Sequence, residues 1–65
     1  MLVRYRFDLT SASAEDREHI VALLNNCSFT GVKCETPTVF SCFFEEEDSV
    51  DELVPLPDGC SKTRS

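Results

Sequence analysis

Six consecutive residues, Val39 to Phe44, constrain the fold more than any other part of the chain. The run is β-branched and aromatic and follows the turn-forming stretch Glu35-Thr36-Pro37-Thr38, so it reads as a strand. Side chains alternate across a strand. Phe40, Cys42 and Phe44 therefore form one apolar face, and Val39, Ser41 and Phe43 form a second, largely apolar one.

Two other periodicities precede it. From Leu2 to Asp8, Val3, Tyr5 and Phe7 fall on one side and Arg4, Arg6 and Asp8 on the other, the pattern of a half-buried strand. Ile20, Leu23, Leu24 and Cys27 then recur at helical spacing. Ser13 with Asp16 resembles a capping box that starts this helix over residues 14–26. Asn25-Asn26 and Gly31 mark its end. Strand-like alternation resumes at Val32, and Pro37 separates it from the Val39 run. After Phe44, Ser49 with Glu52 suggests a second capping box, and Val50, Leu53 and Val54 suit one helical turn that Pro55 ends.

Pro57-Asp58-Gly59 makes a turn, leaving residues 60–65 as a flexible, mildly basic tail to a single domain of residues 1–59. The fold class expected is α+β, a three-stranded antiparallel sheet with the third strand between the first two. The helix covers the face that holds Val3, Tyr5, Phe7, Phe40, Cys42 and Phe44. This βαββ order plus a short helix is a truncated ferredoxin-like arrangement without its last strand. The missing strand leaves a free edge beside the first strand, and a homodimer is expected through that edge or through the sheet's back face.

A chain of 65 residues buries only a small core, so a metal, a disulfide or a partner must be weighed as added support. Cys27, Cys34, Cys42 and Cys60 lack the close C-x2-4-C pairs of a structural zinc site, and C-x-x-C is absent. Cys27, Cys34 and Cys42 fall on apolar faces, where free cysteine packs as a small hydrophobe. No metal or cofactor is expected; a cysteine-based metal-binding or redox module is the alternative. His19 lies roughly 12 Å along the helix from Cys27, too far for a catalytic pair. With no phosphate-binding glycine loop and no H-E-x-x-H motif, no enzyme activity is expected.

Twelve acidic residues face six basic ones, and their distribution is uneven. Between Cys34 and Ser61 there are eight carboxylates and no Lys or Arg. Direct binding to nucleic acid or to an anionic membrane is disfavoured, because both attract cationic clusters. No run approaches the roughly 18 apolar residues of a membrane span. The first eight residues alternate and lack the apolar core of a signal peptide. The expectation is a cytoplasmic protein with reduced thiols.

Two features ask for a partner. One helix covers one face of a small sheet, which leaves Val39 and Phe43 on the other. The acidic run Glu45, Glu46, Glu47, Asp48, Asp51 and Glu52 continues from that face, and an apolar centre with a charged rim suits a binding surface. The function expected is a small acidic protein-binding protein, an inhibitor or adaptor. Its partner would be a larger protein with a basic surface, such as a nucleic-acid-binding complex. The acidic nucleic-acid mimics that block restriction or CRISPR nucleases have this size and charge.

Overall fold

The computed structural model describes residues 1–64. Strand β1 (Leu2–Asp8) is followed by helix α1 (Ala14–Cys27), strands β2 (Lys33–Thr36) and β3 (Val39–Glu45), a single helical turn α2 (Val50–Leu53) and strand β4 (Ser61–Arg64). All strand pairs are antiparallel, in the order β2-β3-β1-β4. β3 lies between the first two strands, as the sequence predicts.

The sheet has four strands where three were expected. Ser61–Arg64, expected within a flexible tail, pairs with β1 so that Tyr5 faces Arg64 and Asp8 faces Ser61. The edge beside β1, expected to be free for a second copy, is therefore filled from within the chain. Ser65, the last residue of the expected tail, lies outside the described residues.

Local chemistry sets the element boundaries. Ser13 Oγ accepts from the Asp16 amide at 3.1 Å, and the Ser28 amide closes the other end of α1 on the Leu24 carbonyl. The second expected capping box does not form: Ser49 precedes α2 without a side-chain bond, and its carbonyl alone receives the Glu52 and Leu53 amides. Between β2 and β3, Thr36 Oγ1 accepts from the Val39 amide at 3.0 Å and holds the Pro37-Thr38 turn.

The core sits between α1 and one face of the sheet. Ile20 and Leu24 of α1 meet Phe7, Phe40, Cys42 and Phe44, with Leu9, Val50 and Val54 joining them. Tyr5 meets Phe44 edge-on with ring centroids 5.8 Å apart, one of the geometries aromatic quadrupoles favour. Val3, Phe7, Phe40, Cys42 and Phe44 are buried, whereas Phe43 on the opposite parity is 37 % exposed. The helix-covered face is thus the one expected. Cys34 departs from expectation and is exposed. It lies on the outermost strand, where pairing with β3 shifts register between Cys34 and Thr36.

Candidate functional site

One face of the sheet carries no helix. Strand register and alternation place Leu2, Arg4, Arg6 and Asp8 of β1 there, with Val39, Ser41, Phe43 and Glu45 of β3. A polar network occupies its centre. Arg4 Nη2 and Ser41 Oγ both donate to Glu35 Oε1, at 2.8 and 2.9 Å. The Ser41 hydroxyl, then Lys33 and Arg4, hold the Glu35 carboxyl below its ordinary range, against a smaller opposing effect of burial. At the far end, the Thr10 hydroxyl and amide both donate to Asp8 Oδ1 and, with nearby Arg6, depress that carboxyl too.

This network divides the apolar patch expected from the sequence. Val39 lies on the Asp8 side, in a shallow hollow with Arg6, Ser61 and Thr63. Phe43 lies on the other side, next to Leu2, which is 38 % exposed. Phe29 joins Phe43: its amide donates to the Phe43 carbonyl at 2.8 Å, and its ring is 66 % exposed. The exposed apolar residues at this end of the sheet are therefore Leu2, Phe29 and Phe43, and Val39 stands at the other. Phe29 has a sequence signal of its own, an aromatic in the Ser28-Phe29-Thr30-Gly31 loop with no place in either helical or strand alternation.

The acidic run starts at the Leu2–Phe43 end, since Leu2 faces Glu45 across β1 and β3. Its carboxylates divide into two groups. Glu45 lies 3.4 Å from the Met1 amine, Glu46 lies 3.9 Å from Arg64, and Asp51 pairs with Lys62. Asp48 Oδ2 accepts from the Glu45 amide at 3.0 Å, which folds the chain back into α2. Glu47 and Glu52 are exposed and make no ion pair among the described residues. The run is thus partly a structural device, and Lys62 and Arg64 are its internal counterions.

The cysteines do not converge. All four are free; Cys42 is buried, Cys34 exposed, and Cys27 and Cys60 lie between these extremes. Among the described residues, no three His, Cys, Asp or Glu side chains gather as a metal-holding group. No helix among them is long and apolar enough to cross a membrane. No family model, curated protein or solved structure matches this chain.

Proposed function

We propose that this chain is a small protein-binding module, an inhibitor or adaptor. It docks Leu2, Phe29, Phe43 and the adjoining carboxylates onto a larger protein whose surface is basic around an apolar contact. The observation that carries the proposal is that three exposed apolar residues, Leu2, Phe29 and Phe43, lie with the start of the acidic run at Glu45 at one end of the sheet. Aromatic side chains supply most of the energy at such interfaces, while charges at the rim speed encounter and set orientation. A nucleic-acid-binding protein fits as partner, since its own site must be basic to hold phosphate. The carboxylate run then stands in for part of a nucleic-acid backbone.

Our reading assigns it no catalytic role. Among the described residues, His19 lines a shallow groove with Asp16, Ile20, Pro55, Leu56 and Pro57. We also read the βαββαβ order and the β2-β3-β1-β4 sheet as a ferredoxin-like architecture with its second helix cut to one turn. That architecture serves many unrelated activities, so the surface carries the functional reading and the fold does not.

The test uses a partner captured on the immobilised chain from its native host. Phe43→Ser should weaken binding by roughly 30-fold, the scale of an aromatic hot spot. Changing Glu45, Glu46 and Glu47 together to Gln should slow association and flatten its salt dependence, with dissociation little altered. A partner whose affinity is unmoved by either change, with both variants folded, refutes the assignment.

A further inference from the structure

The chain already binds one basic strand. β4 contributes Lys62 and Arg64, two residues apart and so on the same face, and these reach Asp51 and Glu46 of the acidic run. Its backbone meanwhile pairs with Tyr5–Asp8 of β1. Between the two cations stands Thr63, which points to the opposite face beside Arg6 and Val39.

The hold on β4 is slight. None of its four residues is buried and none is apolar, so no side chain anchors it in the core. Its ion pairs lie at the surface, where such pairs contribute little. β1 does not depend on it, because all seven of its residues pair with β3 on the other side. The connection from α2 contains Pro55, Pro57 and Gly59; Val54 lies in the core and Leu56 and Cys60 pack against it, but no helix or strand beyond Val54 has to be broken if β4 swings away about Gly59 and Cys60.

From this arrangement we infer that the β1 edge and the adjoining acidic run form a receptor for an extended segment of another protein with cationic side chains at alternate positions. β4 is its resident stand-in. An incoming segment of the pattern Lys/Arg-x-Lys/Arg adds antiparallel to Tyr5–Asp8, takes Asp51 and Glu46 as counterions, and displaces β4. Until then, β4 competes from within at high effective concentration and keeps the edge closed to non-specific strand pairing. The inference rests on the proposed role of the acidic run in binding basic partners. It adds the conformation and residue pattern of what is bound.

The experiment uses the full chain and a synthetic peptide copying residues 56–65. A control peptide of the same composition has its Lys and Arg adjacent, so that they project to opposite faces of a strand. Binding is measured to the wild-type chain and to the full-length Lys62→Ser/Arg64→Ser variant, whose own β4 lacks both counterions. The variant should bind the copying peptide about five- to tenfold more tightly than wild type, and the control peptide more weakly. At saturation, hydrogen exchange should speed up at the β4 amides and remain slow at β2 and β3. If both peptides bind alike, or β4 stays protected, the strand receptor is refuted while the acidic surface still attracts cations. If the folded variant binds neither peptide, the electrostatic part of the proposed function falls as well.

Discussion

Cys42 shows how much one buried side chain reveals about its surroundings. Packing against the aromatic core pushes its thiol from an ordinary 9.0 up to about 11, and the nearby Ser28 hydroxyl offsets only part of that. Well below pH 9 the thiol is neutral in both folded and unfolded chains, so stability is unaffected. Between about 9 and 11 the unfolded chain ionises while the folded one holds its proton, and stability falls by about 2–3 kcal/mol. Denaturant midpoints taken across that window should decline more steeply for wild type than for Cys42→Ala. A thiol reagent should label Cys34 in the native state and reach Cys42 only on unfolding. Cys34 was the residue that alternation misjudged: an apolar-face parity implies burial only where something covers the face.

At the scale of elements, legibility follows side-chain hydrophobicity. β1, α1 and β3 announce themselves because their cores are lined at periods of two or 3.6 residues, and the structure places all three within a residue of expectation. β4 gives no such signal. Ser61-Lys62-Thr63-Arg64 has no apolar residue, and its strand character comes from a vacant β1 edge and from counterions distant in sequence. The acidic run was legible as charge, but its division into paired and unpaired carboxylates depends on the position of that strand. Gly59 directs the chain into β4 with φ at +85°, and an added Cβ would meet Ser11 Cβ at 2.9 Å. Gly59→Ala should therefore cost about 1–3 kcal/mol. Hydrogen exchange should locate the loss first at β4, leaving α1 and β3 protected.

For the molecule as a whole, one small core carries the fold. Leu24 is fully buried between α1 and the sheet, so Leu24→Ala removes contacts that nothing else supplies. The expected cost is about 2–5 kcal/mol. Against the roughly 5–15 kcal/mol that holds a typical domain together, such a loss is a large share for a chain of this size and should lower the melting midpoint by about 10 °C or more. Circular dichroism melts would show it. The proposed contact surface draws on none of that core: Leu2, Phe29, Phe43, Glu46 and Glu47 lie outside it. Stability and binding should therefore separate cleanly under mutation.

The central position of β1 has a consequence for how the protein comes into being. β1 is translated before either strand it pairs with: its neighbours in register begin only at Val39 and Ser61. As the chain leaves the ribosome, α1 can coil early on its own amides, while β1 waits with both edges bare and Val3, Tyr5 and Phe7 exposed to solvent or to a chaperone. Docking of β3 covers one edge, and only the arrival of Ser61–Arg64 closes the other. A nascent chain stalled anywhere before that point displays a sticky strand, and the codons for Ser61–Arg64 decide whether it is shielded.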